Sequence, residues 1–126
     1  MTLKNIDSWL VLRIGLSITF IWVGYMIITA PLVWGSYISS WVLPFIPIEL
    51  TQFMITTGIF DIIVGFGFLF NRTVFWSSVF GAIHLAGILI VSGINEATVR
   101  DIGLLGGTVS LLIKYLPRKL LQRIND

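Results

Sequence analysis

The chain consists of four apolar runs separated by short polar segments, at about 9–28, 48–70, 74–92 and 102–116. The first three are about 20 residues long, the length a helix needs to cross a hydrocarbon core of about 30 Å. Transmembrane β-strands would instead alternate apolar and polar positions in segments of about ten residues. The pattern therefore predicts an all-α integral membrane protein, a single domain folded as a four-transmembrane-helix bundle.

The segment between the first two runs is also apolar, but prolines interrupt it. At about 34–43, four large side chains recur at helical spacing: Trp34, Tyr37, Ile38 and Trp41. Aromatic rings on one face of a helix are typical of the membrane–water interface. We predict an interfacial amphipathic helix here, serving either as an anchor among the headgroups or as a lid over a cavity between the spans.

Composition supports the membrane assignment and narrows the chemistry. Hydrophobic residues make up 56% of the 126 positions and charged residues 11%, with a mean hydropathy of +0.97. That balance is unlike a soluble domain's and indicates a lipid bilayer, with no nucleic acid, as the partner. The chain has no cysteine, which excludes structural disulfides and cysteine-ligated metal clusters within it. Electron transfer would need a borrowed cofactor.

The cations are distributed unevenly between the two sides of the predicted bundle. Seven of the eight lie on the side of the termini and of the 71–73 turn: Lys4, Arg13, Arg72, Lys114, Arg118, Lys119 and Arg123. Cytoplasmic segments are enriched in Lys and Arg, so we expect a multi-pass cell-membrane protein with both termini cytoplasmic. The basic tail at 117–126 is expected to lie on anionic lipid.

Two ionisable side chains lie in the middle of neighbouring runs. Asp61 precedes the polar turn at 71–73 by ten residues, and His84, the single histidine, follows it by eleven. At about 1.5 Å per residue, both would lie roughly 15 Å from that turn. A charge at the bilayer centre is unfavourable by about 2.5–3.5 kcal/mol, so such groups face the protein interior and find partners. We therefore predict a buried Asp61–His84 pair.

Two arginines are further candidates. Arg13 enters from the same side as the 71–73 turn, and its side chain either snorkels to the headgroups or reaches the Asp61–His84 pair. Arg100 is the one cation on the opposite side, where it could receive an anionic substrate or form a surface ion pair. Thr98 followed by Asp101 resembles a capping box, and for Asp101 a plain helix start is the preferred interpretation.

Small residues mark the expected helix contacts. Gly58 and Gly65 flank Asp61 and allow a neighbouring helix to approach, as Ser77 and Gly81 do beside His84. The short turn between the second and third spans predicts that they are antiparallel neighbours. A further set lies on the fourth span and suggests packing within the bundle or self-association: Gly103, Gly106, Gly107 and Ser110.

Five stretches of the chain resemble a known family. They are LRIGL at 12–16, FIWVG at 20–24, GIFDIIVG at 58–65, HLAG at 84–87 and, after Asn95 and Glu96, VRDIGLLG at 99–106. Together they resemble the DoxX family of small four-span membrane proteins over nearly the whole chain, most specifically at 100–106. The family's relation to the membrane subunit of a thiosulfate:quinone oxidoreductase implies a quinone-linked redox role. The acid of the second span is commonly Glu in that family, and here it is the shorter Asp61.

Three functions remain open from the sequence. In a redox-associated subunit, Asp61 and His84 are the candidate catalytic groups for a quinone, with Arg13, Trp34, Trp41 and Arg100 as further ligand-binding candidates. In a carrier, the polar residues relay protons or a small solute. In a membrane assembly partner, they only fix helix register. The sequence has no nucleophile with a base, no cofactor motif and no metal-ligand cluster, so catalysis would require a redox partner subunit.

The topology can be tested directly, because the chain has no native cysteine. Single cysteines at Thr73 and at Ala97 are expected to react with impermeant maleimides from opposite sides of the membrane, Thr73 from the cytoplasm. Labelling of both positions from one side would contradict the four-span arrangement.

Overall fold

The computed structural model describes residues 7–96 and 98–117, and these fold entirely as helices, turns and loops. Five α-helices follow in order: α1 Ser8–Thr29, α2 Pro31–Gly35, α3 Leu50–Gly67, α4 Val74–Ser92 and α5 Val99–Lys114. No strand occurs in this part of the chain, which confirms the all-α prediction. Lys4, Ala97 and the basic tail from residue 118 onward lie outside the described residues.

Three of the helices are long and apolar enough to cross a membrane. These are α1, α3 and α4, with mean hydropathies of 1.9, 1.4 and 2.0. Helix α5 has 16 residues. At about 1.5 Å per residue it is about 24 Å long, less than a hydrocarbon core of about 30 Å. The first three predicted spans therefore correspond to candidate membrane helices, with ends within three residues of the prediction.

Local chemistry explains where these helices begin and end. Asp7 is the N-cap of α1, and its carboxylate accepts hydrogen bonds from the Trp9 and Leu10 amides at 3.0 and 3.3 Å. Helix α1 ends before Pro31, which occupies the first position of α2. In the turn after α3, the Thr73 hydroxyl donates to the Gly67 carbonyl at 2.7 Å. That bond satisfies a carbonyl that the end of α3 leaves without a helical partner.

The predicted interfacial helix at 34–43 does not form as one helix. Helix α2 ends at Gly35, turns follow, and a 3₁₀ turn spans Leu43–Phe45. Pro44 lacks an amide hydrogen and suits the short 3₁₀ turn better than a helix interior. The Ser39 amide donates to the Val91 carbonyl at 3.1 Å, so the segment is tied to the end of α4. In a continuous helix the Ser39 amide would donate to a carbonyl one turn earlier, and here it donates to α4 instead.

At the start of α5, the resemblance of Thr98 and Asp101 to a capping box does not correspond to capping hydrogen bonds, in agreement with the plain helix start preferred for Asp101. Thr98 is the N-cap, but its side chain caps no amide of α5. Its hydroxyl instead donates to the Gly93 carbonyl at 2.5 Å and accepts from the Asn95 amide at 3.0 Å. Gly93 has φ 69°, a conformation that favours glycine, which closes the turn between α4 and α5. Thr98 therefore organises the preceding turn, and the Asp101 side chain has no capping role.

The bundle is built from two closely packed helix pairs. Helix α1 packs chiefly on α3, and α4 chiefly on α5, whereas α3 and α4 make a smaller contact. The backbones of α1 and α3 meet at Gly24 and Gly58, where a β-carbon added to Gly24 would lie 2.5 Å from the Gly58 oxygen. The expectation that Gly58 admits a neighbouring helix is thus correct, but that neighbour is α1. Helices α3 and α4 are connected in sequence yet leave space between them.

Glycine packing between α1 and α3 yields a matched pair of substitutions. Gly24→Ala should destabilise the protein by about 1–3 kcal/mol, because the added methyl group collides with backbone of α3. Gly15→Ala, on the same helix, has no atom within 4 Å of the added carbon and should be neutral or slightly stabilising. Unfolding in detergent would measure both. Equal stability of the two variants would contradict the close α1–α3 contact.

Candidate functional site

Asp61 of α3 and His84 of α4 are in contact at the middle of the bundle. The Nε2 atom of His84 lies 2.8 Å from Oδ1 of Asp61, and their side chains are 17% and 4% exposed. The Phe60 ring packs on the imidazole with centroids 5.0 Å apart. The equal spacing of Asp61 and His84 from the connecting turn therefore placed them correctly, and the predicted pair is confirmed.

The contact is short but not fully aligned. Within the described residues, Nε2 of His84 is buried and has no hydrogen-bond acceptor in a favourable direction, although Oδ1 is within hydrogen-bonding distance. A hydrogen bond weakens steeply when its N–H points away from the acceptor. Acid–base pairs often have such imperfect geometry before a ligand binds and become aligned afterwards. The pair is thus in place without being locked by a linear bond.

A cavity of about 460 Å³ lies beside the pair. Its walls are mainly apolar and come from all five helices and from the segment after α2, including Phe20, Phe53 and Leu104. Ile83, which also lines it, is exposed on the surface of the bundle, so the cavity reaches the side that would face lipid. A volume of roughly 300–1,000 Å³ with apolar walls and few polar groups is typical of a small-molecule site.

Four of the predicted site residues line this cavity: Trp34, Asp61, His84 and Arg100. The Arg100 guanidinium carbon lies 5.6 Å from the centre of the Trp34 ring, a cation–π geometry that connects α5 to α2. Trp34 and Arg100 are far apart in sequence, and the folding of the α2 segment over the bundle brings them together. Tyr37 lies in the same wall.

Asp101 belongs to the cavity as well, and the sequence argument missed it. Burial raises the pKa of its carboxyl group; Arg100 opposes the shift, the Asp61 charge adds to it, and His84 opposes it. Asp101 directly precedes the predicted fourth span, and its carboxyl group is near enough to Asp61 and His84 for their charges to affect its pKa. The signal in the sequence was the position of Asp101 in the 100–106 stretch, which was interpreted there as a plain helix start.

Arg13 lies elsewhere, which corrects the expectation that it reaches the pair. It is 4% exposed, and its Nε donates to the Phe68 carbonyl at 2.7 Å. Its terminal nitrogen donates to Asn71 Oδ1 at 2.9 Å and to the Tyr115 hydroxyl at 3.3 Å. These partners lie at the end of α3, in the turn and after α5, so Arg13 connects three segments at the other end of the bundle. It neither snorkels outward nor lines the cavity.

Trp41 and the aromatic side chains near the start of α4 also lie outside the cavity. Trp41 does not line it and is 60% exposed, because the chain turns after α2 instead of continuing as a helix. Phe75 and Trp76 pack on each other, with ring centroids 5.2 Å apart, and Phe80 packs edge-on against Phe60. Of the predicted aromatic segment, the wall keeps Trp34, Tyr37 and Ile38.

The arrangement can bind an apolar molecule that carries one hydrogen-bonding end. No hydrogen bond joins Nδ1 of His84 to any residue that the structure describes, so this atom can serve a ligand oxygen. The carboxylate of Asp61 beside Nε2 would stabilise a protonated imidazole. In residues 7–96 and 98–117, no group of three or more His, Cys, Asp or Glu side chains is placed to hold a metal ion.

No protein-family model, curated protein or solved structure matches this chain. The site is therefore interpreted from its own residues. The geometry separates them into a cavity group around Asp61 and His84 and an anchoring group around Arg13.

A double-mutant cycle tests this separation. Asp61→Leu should destabilise the protein by about 3–5 kcal/mol because it leaves the partner of a buried pair unsatisfied. Asp61→Asn should be milder, since the amide still forms hydrogen bonds. Combined with His84→Leu, the loss should fall short of the sum by about 0.5–3 kcal/mol, measured by unfolding in detergent.

The same cycle with Arg13→Met in place of His84→Leu is the control. Arg13 and Asp61 share no hydrogen-bonding partner among the described residues. The two losses should then add within about 0.5 kcal/mol. A coupling energy near zero for Asp61 with His84, or a large one for Asp61 with Arg13, would contradict the assignment.

Proposed function

We propose that this protein binds a quinone in the cavity beside Asp61 and His84 and exchanges protons with it, as a membrane subunit of a quinone-linked oxidoreductase. The observation that carries the proposal is the 2.8 Å contact between the imidazole and the carboxylate in the wall of a mainly apolar cavity of about 460 Å³. A buried acid–base pair with access to a lipid-soluble ligand is what proton exchange with such a ligand needs.

The residues present fit a quinone headgroup. Its ring is flat and apolar, with an oxygen at each end, so it needs aromatic or aliphatic walls and a hydrogen-bonding group near one oxygen. Phe20, Phe53 and Trp34 supply aromatic surface, and His84 supplies the polar group. The exposure of Ile83 at the cavity wall is compatible with entry from the lipid side.

In this mechanism the quinone supplies the redox chemistry, and the chain's own residues bind it and handle the protons. A neutral His84 accepts a hydrogen bond at Nδ1 from a ligand hydroxyl, and a protonated one donates from Nδ1 to a ligand carbonyl. The Asp61 carboxylate lies beside Nε2, where its charge stabilises the protonated imidazole. A partner protein would supply or remove electrons.

The membrane arrangement that we infer has four spans. The part of α5 from about residue 102, continued to about residue 116, would be the fourth, with the segment after α2 at the interface and both termini in the cytoplasm. Resemblance to the DoxX family supports this arrangement and the quinone link. Gly103 and Gly106 have open space beside them, which suits a homo-oligomer or a redox partner subunit.

A carrier of protons or of a small solute is the second candidate. It is favoured by the ionisable side chains that share one cavity: Asp61, His84, Arg100 and Asp101. Flux driven by a pH gradient in proteoliposomes would support it, whereas quinone that copurifies with the protein would favour the redox function. If neither is observed, the remaining function is that of a structural assembly partner.

Quinone binding should stabilise the folded protein. At a free tetramethylbenzoquinone concentration about 100 times Kd, the gain is about 2.7 kcal/mol, seen as a higher melting temperature in detergent. His84→Leu and Trp34→Leu should remove this rise. The matched control for Trp34 is Trp41→Leu, which should keep it because Trp41 does not line the cavity.

An unchanged melting temperature of the wild type at saturating quinone would overturn the proposal. So would a rise that persists undiminished in His84→Leu. Mass spectrometry of a lipid extract from the purified protein provides an independent check, since a bound native quinone should appear in a stoichiometric amount.

A further inference from the structure

We propose that Asp101 is the group through which the Asp61–His84 pair exchanges protons with water at the end of the bundle where α5 begins. This inference deepens the proposed function by giving its site a proton path. It rests on the placement of three ionisable side chains, from three different helices, around one cavity.

The contact between Asp61 and His84 is buried, although the His84 side chain as a whole is 17% exposed. Asp61 is 4% exposed, and Nε2 of His84 is buried. A proton that enters or leaves this contact must therefore cross the cavity or pass between packed helices. Packing at protein density leaves few gaps for water, so the cavity is the easier path.

Asp101 lies at the end of the bundle where α5 begins. It lies in the first turn of α5, three residues after Thr98 in the turn that connects α4 to α5. Its side chain is partly buried and lines the same cavity as Asp61 and His84. Asp101 is thus a carboxyl group between the buried pair and the end of the helix, near the polar connecting turn.

Water in the cavity can connect these groups. A water molecule occupies about 30 Å³ in the liquid, so a cavity of about 460 Å³ has room for several beside or in place of a ligand, and the polar side chains on its mainly apolar wall can bind them. The other ionisable groups on its wall are Arg100, which stacks on Trp34, and Tyr37. An arginine remains protonated at physiological pH, and a tyrosine hydroxyl is a weak acid. Asp101 is therefore the better proton carrier at this end.

The proton transfer balances without any other reactant. A proton on the His84 imidazolium passes through water to the Asp101 carboxylate, leaving a neutral imidazole and a carboxylic acid. The acid then releases the proton to water outside the bundle and becomes a carboxylate again. Uptake follows the same steps in reverse. Burial, which raises the pKa of Asp101, makes the protonated form of this carboxyl more accessible than that of a surface aspartate.

The single histidine permits a direct test in the full-length protein. Exchange of the His84 ring proton with water can be followed by NMR of protein labelled with ¹⁵N-histidine. In Asp101→Asn we expect this exchange to be about 100-fold slower, the lower end of the range that positioned acids and bases contribute to proton transfer. Added formate, a small acid able to enter the cavity, should restore part of the lost rate.

Glu96→Gln is the matched control, because Glu96 lies in the same connecting turn but is exposed and does not line the cavity. It should exchange as fast as the wild type, as should Asp101→Glu. If Asp101→Asn folds poorly by its melting temperature, Asp101→Ser removes the acid in a smaller form. Unchanged exchange without the acid, or equal slowing by Glu96→Gln, would overturn the inference. This readout needs no quinone, so a failure of quinone binding would remain distinguishable.

Discussion

Burial of the Asp61 carboxylate among apolar helices is the constraint on which this structure depends. An unpaired charge there would be unfavourable by several kcal/mol. His84, at the same level of α4, supplies the partner of this carboxylate. A buried pair of this kind recovers only part of the free energy lost when its charges leave water. It therefore contributes little to stability, and a role in proton chemistry explains it better. Apolar residues of the same size would pack the centre of the bundle at lower cost.

The bundle contains a second buried ionisable group with a different character. Arg13 directs its donors to a carbonyl at the end of α3, an amide oxygen in the following turn and a hydroxyl after α5. The Arg13 guanidinium also lies over the Tyr115 ring, which adds to this anchoring. These partners accept the hydrogen bonds of Arg13, and none of them lines the cavity. Arg13 therefore stabilises the closed end of the bundle, whereas Asp61 and His84 lie beside open space.

Helix pairing explains why that space exists. Gly24 and Gly58 bring the backbones of α1 and α3 together, and α4 packs mainly on α5. Helices α3 and α4, although joined by a short turn, are thereby held in separate pairs. A cavity between two rigid pairs can persist, because neither pair can collapse into it without losing its own packing. The segment after α2, fixed to Val91 through Ser39, adds Trp34 and Tyr37 to its wall.

The sequence by itself determined the all-helical class, the three helices that could cross a membrane, and the level at which Asp61 meets His84. These follow from local quantities: the length of an apolar run, the rise per residue and the number of residues from a shared turn. It also marked Gly58 as a point of close approach, because only a missing side chain permits two helix backbones to touch.

Tertiary structure decided which partners the individual side chains contact. Arg13 was expected either to snorkel or to reach the pair, and it instead donates to Phe68 and Asn71. The rise per residue along a helix fixes the depth of a side chain but not the direction in which a long one points. Trp34 lines the cavity and Trp41 does not, since the chain leaves helical geometry after Gly35 and does not keep the spacing that the sequence pattern assumed. Asp101 shares the cavity with Asp61 through the pairing of α4 with α5, a contact between side-chain surfaces that no periodicity encodes.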